Sequence, residues 1–178
     1  MSRIGKLPIA IPENVEVEVK EQIINITGPH GKLVREISST ISIQLANNFL
    51  TLKKRDNSRF TNQLYGLSRT LINNMIIGVS KKFDKTLMLE GVGYRAQIVN
   101  KDLVLNLGFS HPVLLLIPDG IEVVLEKNGI IIIRGFDKEL VGQFAATIKS
   151  KRPPEPYKGK GILFKGEIIK RKVGKSGK

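Results

Sequence analysis

The chain has 178 residues, with 29 Lys or Arg against 16 Asp or Glu, and a formal net charge of +13. Its apolar content of 41% is typical of a globular protein and excludes a largely disordered chain. It contains no cysteine, which excludes disulfides, thiolate metal sites and cysteine nucleophiles. The excess positive charge predicts a polyanionic partner, either nucleic acid or an anionic membrane surface.

The first half of the chain is predicted to be mainly β-structure followed by one helix. Residues 3–12 carry Arg3 and Lys6 and are expected to form an extended basic arm. Strict alternation of apolar and charged residues predicts a strand at 15–19, because successive side chains of a strand face opposite sides. Four further short strands are predicted as parts of an antiparallel meander, at residues 23–27, 33–37, 41–45 and 49–52.

The helix of the first half is predicted from the spacing of its apolar residues. Leu64, Leu67, Leu71 and Met75 are three or four residues apart, so they would share one face of a helix. Glycine is common just after the last turn of a helix, and we expect Gly78 to end this one.

The second half repeats this order of strands and helix. Strands are predicted at residues 86–92, 94–99, 103–107 and 113–117, and a hairpin of strands 121–125 and 130–134 surrounds Asn128-Gly129. An apolar stripe predicts a second helix, which two prolines at 153 and 154 would end. The stripe consists of Leu140, Phe144 and Ile148, supported by Val141 and Ala145.

Three pairs of segments match between the halves and indicate an internal duplication. Residues 11–17 match residues 117–123, residues 23–28 match residues 130–135, and residues 64–66 match residues 140–142 more weakly. We therefore predict an α+β fold of two tandem related domains, 1–81 and 82–178. Each domain would be a small, mainly antiparallel sheet packed with one helix, and the second would carry a basic C-terminal extension.

Most of the surplus charge lies at the C-terminal end. Residues 149–178 contain 11 Lys or Arg and 2 Glu, a net charge of +9, whereas residues 1–148 have a net charge of +4. Within this end, residues 153–161 combine three prolines, two glycines, two lysines and Tyr157. The prolines make the backbone rigid, and the glycines allow a partner to approach it closely. Together with the two lysine charges and a tyrosine ring that can stack on a base, these features favour a nucleic-acid contact. On these nine residues alone, a solvated basic loop is an equal alternative.

The sequence contains no pattern that predicts catalysis, a cofactor or a metal. Its two histidines, His30 and His111, sit beside prolines in predicted turns and lack metal-ligand spacing. Gly91-Val92-Gly93 lacks the third glycine of a dinucleotide site. Gly174-Lys175-Ser176 resembles the end of a phosphate-binding loop, but Ile169 occupies the position of the required glycine. We expect a protein that is not an enzyme.

A membrane-surface protein and a general RNA chaperone are the alternatives that charge alone leaves open. The first would need a basic amphipathic helix, but prolines and glycines interrupt the C-terminal end and the chain has no tryptophan. No apolar run is long enough to span a bilayer. The N-terminus also lacks the features of a signal or transit peptide, so we expect the protein to act in the compartment that makes it.

Several blocks of sequence resemble the bacterial-type ribosomal protein L6 family of the large subunit. The run Pro-Glu-Pro-Tyr-Lys-Gly-Lys-Gly-Ile at 154–162 is similar to the signature of that family. The opening residues 1–9 and the blocks at 71–79, 89–96 and 107–113 fit the family as well, so the resemblance covers nearly the whole chain. The tail at 172–178 resembles cyanobacterial and plastid members. Since no transit peptide is recognisable, we expect a bacterial or organelle-encoded origin.

The resemblance implies a structural constituent of the large ribosomal subunit that supports translation. It implies binding to 23S-type rRNA near the sarcin–ricin loop and the base of the factor-binding stalk, close to neighbouring ribosomal proteins and translational GTPases. It implies neither a membrane partner nor a homo-oligomer. The rRNA-contact residues that it implies are Lys149, Lys151, Arg152, Tyr157, Lys158, Lys160, Lys165, Lys170, Arg171 and Lys172, with Arg3 and Lys6 as weaker candidates.

Overall fold

The computed structural model describes residues 3–46 and 48–175, and the chain divides into two compact units. Unit 1 runs to Lys82 and includes Phe136–Lys138, and unit 2 comprises Phe83–Gly135 and the chain from Glu139 onward. The limits of the sequence repeats, 1–81 and 82–178, stay a prediction, because a unit defined by contacts need not coincide with a folding domain.

Unit 1 contains six strands and one long helix. The strands are β1 (Ile9–Ala10), β2 (Glu16–Lys20), β3 (Ile23–Gly28), β4 (Gly31–Glu36), β5 (Ile41–Ala46) and β6 (Phe49–Lys54), and the helix is α1 (Arg59–Lys81). They form two antiparallel sheets, with strand orders β2-β3-β4 and β1-β6-β5, where we expected a single meander. The chain leaves the first sheet at a turn in which the amide of Ile41 donates to the carbonyl of Ser38 over 3.0 Å.

Helix α1 buries only part of the face predicted for it, since Met75 is buried and Leu64 packs on the core but Leu67 does not. Tyr65, Ile72 and Val79 are buried, whereas Leu67 is 53% exposed, so the predicted stripe is wrong at Leu67. Two sheets select the buried face: the Tyr65 hydroxyl donates to the carbonyl of Leu52 in β6 over 3.0 Å, and Ile72 joins Ile24 of β3 in the core.

The prediction that Gly78 ends α1 is also wrong. The helix continues to Lys81 because Val79 is fully buried in the core of unit 1. Lys82 ends it: its backbone has a φ of +58°, and its amide donates to the carbonyl of Gly78. At the other end, the Ser58 hydroxyl accepts a hydrogen bond from the amide of Thr61 over 3.1 Å and caps the first turn.

Unit 2 contains seven strands and a shorter helix. The strands are β7 (Phe83–Glu90), β8 (Arg95–Val99), β9 (Asp102–Asn106), β10 (Val113–Leu116), β11 (Ile121–Glu126), β12 (Ile130–Gly135) and β13 (Gly161–Phe164), and the helix is α2 (Lys138–Lys151). They form two antiparallel sheets, with strand orders β11-β12-β7-β13 and β10-β9-β8. The β11–β12 hairpin forms as expected, with a three-residue turn in which Asn128 has a φ of +67°.

The two units share the predicted α+β architecture. The matched segments 23–28 and 130–135 are β3 and β12, and each is flanked by two antiparallel neighbours. The predicted stripe of α2 is buried at Val141, Phe144, Ala145 and Ile148, and the helix ends before the prolines. The two units connect their strands differently. In unit 1 the second neighbour of β3 is β4, which follows it in the chain, whereas in unit 2 the second neighbour of β12 is β7, which precedes it.

Two strands were absent from the prediction. β1 has only two residues, and β13 has four residues directly after a glycine-rich loop, so neither shows measurable alternation. Among the residues that the structure describes, no helix is both long enough and apolar enough to cross a membrane.

Two alanine substitutions on α1 test the corrected helix face. Ile72→Ala should lower the free energy of unfolding by about 2–5 kcal/mol, because it leaves a cavity in a fully buried site. Leu67→Ala should change it by less than about 0.5 kcal/mol, because that side chain is half exposed. Denaturant unfolding of both variants measures the difference. Equal losses would restore the predicted stripe.

Candidate nucleic-acid interface

The chain between α2 and β13 is a closed loop with its own backbone hydrogen bonds. We call residues 153–161 the proline loop. At its base the amide of Ile162 donates to the carbonyl of Arg152 over 2.9 Å. Inside it, the amide of Glu155 donates to Lys160 over 2.8 Å, and the amide of Gly159 donates back to Glu155 over 3.1 Å. These bonds fix the fold of the loop without any partner.

Two glycines of the proline loop are required by its backbone. Gly161 has a φ of +144°, and an added Cβ would lie 2.6 Å from the Cα of Pro154, which cannot move aside without displacing the chain. Gly159 has a φ of +74°, and its Cβ position lies 3.0 Å from the guanidinium of Arg171. The first glycine lets the loop close, and the second lets Arg171 approach it.

The C-terminal tail runs back over the proline loop. We call residues 165–175 the basic tail. The Gly174-Lys175-Ser176 sequence is only partly included, because Ser176 lies outside the described residues. The amide of Lys165 donates to the carbonyl of Thr86 over 3.0 Å, just beyond β13. The amide of Lys172 donates to the carbonyl of Pro156 over 2.8 Å. Loop and tail therefore form one surface.

An ion pair ties the start of the basic tail to α2. The Lys149 ammonium lies 2.6 Å and 2.7 Å from the two carboxylate oxygens of Glu167, and one of these oxygens accepts the amide of Phe164 over 3.0 Å. Lys149 also lies 4.7 Å from the centre of the Phe164 ring. The hydrogen bond from Lys149, followed by that from the Phe164 amide, lowers the pKa of Glu167 below its usual value. The charge of Lys149 is thus engaged within the protein.

Arg152 stacks on an aromatic ring that the sequence did not single out. Its guanidinium lies 4.8 Å from the centre of the Phe109 ring, and Phe109 is 43% exposed. A guanidinium on a ring keeps its edge available for hydrogen bonds to phosphate. Phe109 belongs to the block 107–113 that carries part of the family resemblance, and that block is the only signal that could have pointed to it.

The remaining candidates in the loop and tail are exposed. Tyr157 is 53% exposed, so its ring is open on one side. No acidic side chain among the described residues lies within salt-bridge distance of the exposed lysines of this surface. Those lysines are Lys151, Lys158, Lys160, Lys165, Lys170 and Lys172. We call them, with Arg152, Tyr157 and Arg171, the basic surface.

Arg3 and Lys6 belong to unit 1 and are exposed. They lie on the N-terminal arm, which Arg69 of α1 holds by donating to the carbonyls of Leu7 and Pro8, each over 3.3 Å. The arm is thus anchored, as a contact element would need to be. Within the described residues, no group of three His, Asp or Glu side chains could hold a metal ion.

Comparison with known proteins finds members of one family that match almost the full length of the chain. A profile of the family described as Ribosomal protein L6 matches residues 11–82 and 90–165, one segment for each half. A protein of Acaryochloris marina named large ribosomal subunit protein uL6 is 52% identical and covers 100% of this chain and 99% of its own length.

Relatives from plants and algae are equally similar. A protein of Arabidopsis thaliana named large ribosomal subunit protein uL6c is 51% identical, covering 99% of this chain and 80% of its own length. A uL6c of Trieres chinensis is 52% identical over 100% of this chain. Proteins of this family are structural components of the ribosome, which confirms the expectation of a non-enzyme. The family profile matches two segments of this chain, and relatives are 52% identical to it over its full length, so this chain belongs to the ribosomal protein L6 family.

Proposed function

We propose that the basic surface binds 23S-type rRNA and fixes this protein in the large ribosomal subunit. One observation carries the proposal: the proline loop and the basic tail hold each other in place and present exposed cations that no acid of the described chain neutralises. The ribosome concerned is that of a bacterial cytoplasm or a plastid, since the relatives include both kinds.

Recognition would depend mainly on phosphates. Each Lys or Arg that meets a phosphate releases condensed counterions, so about 6–10 contacts would make affinity fall steeply with salt. Folded rRNA would be recognised by its shape, phosphates and 2′-hydroxyls more than by base sequence. The exposed ring of Tyr157 could stack on an unpaired base, which contributes about 1–3 kcal/mol.

Internal contacts of the surface reduce the cost of binding. A flexible basic tail would lose conformational entropy on meeting RNA, and each ordered side chain costs about 0.5–1.5 kcal/mol. Here the hydrogen bond from Lys172 to Pro156 and the Lys149–Glu167 pair order the tail beforehand. In this proposal Lys149 acts by positioning the tail, and the neighbouring cations make the contacts.

The resemblance to the family supports a more specific location. We place the basic surface against rRNA near the sarcin–ricin loop and the base of the factor-binding stalk. Neighbouring ribosomal proteins would then lie close by, and translational GTPases would dock nearby. Arg3 and Lys6 would form a second, smaller contact from unit 1. A general RNA chaperone remains the rival, and it would bind many RNAs without one footprint.

Removing four positive charges from the basic surface tests whether this surface binds rRNA. The quadruple variant Lys158→Gln, Lys160→Gln, Lys170→Gln and Lys172→Gln should bind large-subunit rRNA much more weakly than the parent. The slope of log affinity against log salt should fall by about 3–4, since each phosphate contact contributes slightly less than one. Filter binding from 50 to 300 mM salt measures both quantities.

A control variant removes the same charge elsewhere. Lys20→Gln, Lys32→Gln, Lys101→Gln and Lys127→Gln are exposed lysines outside the surface. This variant should keep the parental footprint and nearly the parental slope. Equal losses in the two variants would mean that net charge alone drives binding, as in a chaperone.

A glycine substitution tests whether the shape of the loop matters without changing charge. Gly161→Ala places a Cβ 2.6 Å from backbone, so it should lower the stability of unit 2 by about 1–3 kcal/mol and weaken rRNA binding. Gly174→Ala, where nothing lies within 4 Å, should leave both unchanged. Thermal unfolding and filter binding measure the pair. Full rRNA affinity in Gly161→Ala would contradict a preformed loop.

The Lys149–Glu167 pair predicts a pH dependence. Its contribution is present above the unfolded pKa of Glu167, near 4.5, and is lost as pH falls through the lowered folded pKa. Glu167→Gln should therefore reduce the free energy of unfolding by about 1 kcal/mol or less at pH 7, and the difference should shrink as the pH falls below the usual pKa of 4.5. Urea titrations of parent and variant from pH 7 to 3 measure this. A difference that grows on acidification would refute the pair.

A further inference from the structure

The four-stranded sheet of unit 2 has a second apolar face that its own core does not use. Strand β12 alternates strictly, with Ile131 and Ile133 fully buried and Ile130 and Ile132 partly exposed. Ile131 and Ile133 belong to the core with α2. Ile130 and Ile132 therefore face the other side of the sheet.

Neighbouring strands extend this face into a band. Ile132 pairs with Val124 of β11, and Ile130 pairs with Met88 of β7, so four apolar side chains lie together. All four are partly exposed, and among the described residues none packs on the core of unit 2. Towards β13 the band continues to Leu163, opposite Met88, which is only 5% exposed. We call Met88, Val124, Ile130 and Ile132 the outer band.

The duplicated unit supplies an internal comparison. In unit 1 the positions that match Val124 and Ile132 are Glu18 and Asn25, which pair with each other in the same way. A sheet face exposed to water normally carries such polar residues. The two copies of the fold therefore differ at these two positions, where only the second copy has an apolar pair.

The charges that β7, β11 and β12 carry on this face disfavour RNA as the partner of the outer band. On the same face of these three strands lie Glu122 and Glu126 of β11, Asp84 and Glu90 of β7, and one cation, Arg134, which pairs with Asp84 at 3.1 Å. Their sum is −3, whereas residues 149–178 sum to +9. Phosphates would be repelled here, and lysine or arginine side chains would be attracted.

We propose that the outer band is a protein-docking surface for a basic element of a neighbouring protein that carries aliphatic side chains. The aliphatic groups would cover the outer band, and the lysines or arginines of the partner would meet Glu90 and Glu126 at one end of the strands, since Asp84 at the other end already pairs with Arg134. The apolar part of this contact differs in chemistry from the basic surface, because burial of apolar area depends little on salt whereas phosphate contacts weaken with it. It goes beyond the proposed rRNA binding and does not require the same residues.

Photo-crosslinking in intact large subunits tests the partner directly. A photoreactive amino acid is introduced at position 132, and at the matched position 25 of unit 1 as a control. After illumination, position 132 should yield a crosslink to a basic segment of another protein, at a level at least about tenfold above that at position 25. Crosslinks from position 132 to rRNA, to a second copy of this chain or to nothing would each overturn the proposal.

A pair of substitutions borrowed from unit 1 tests the energetic role. Val124→Glu with Ile132→Asn should increase loss of the protein from subunits in high-salt washes by at least about tenfold, since two aliphatic contacts are removed. Its affinity for isolated rRNA should equal that of the parent, which separates this proposal from the rRNA proposal. Ile23→Asn, on the same face of unit 1, is the control and should be retained like the parent. Parental retention of the double variant would overturn the proposal.

Discussion

The pairing of β13 with β7 is the interaction on which the candidate interface depends. Four residue pairs, from Gly161 with Glu90 to Phe164 with Leu87, attach the C-terminal strand to the edge of the sheet of unit 2. Ile162 is fully buried in the core, so the strand is held by apolar packing as well as by hydrogen bonds. The proline loop precedes this strand and the basic tail follows it. Both ends of the basic surface are therefore fixed by one short element.

Much of the fold follows from local sequence. The alternation at 121–126 and 130–135 and the Asn-Gly between them determine the β11–β12 hairpin, and the duplicated segments locate the equivalent hairpin of unit 1. β1, β13 and the full extent of the buried face of α1 could not be predicted in this way. Short strands carry too few residues to show a period. The choice between Leu67 and Tyr65 depends on the carbonyl of Leu52 in β6, 13 residues before Tyr65, which a helical period does not reveal.

The candidate site was predictable in position but not in detail. The excess of basic residues after residue 148 locates the surface, because charge can be counted in a sequence. The sequence does not show which group each of these cations contacts. Lys149 is 18 residues from Glu167, so only the folded chain shows that its charge is engaged within the protein. A count of lysines and arginines overstates the charge that a polyanion would meet here.

The length of α1 prevents unit 1 from carrying a loop like that of unit 2 at the matched position. Beyond Ile72, which matches Ile148, α1 continues through Met75, Ile76 and Val79 into the core, and its Val79 carbonyl accepts the amide of His30 at the β3–β4 turn. α2 ends within one turn of the matched point and gives way to the proline loop. A loop placed at the same point of unit 1 would remove three core residues. Core packing therefore requires a complete helix in unit 1, whereas unit 2 has an exposed loop at the matched position.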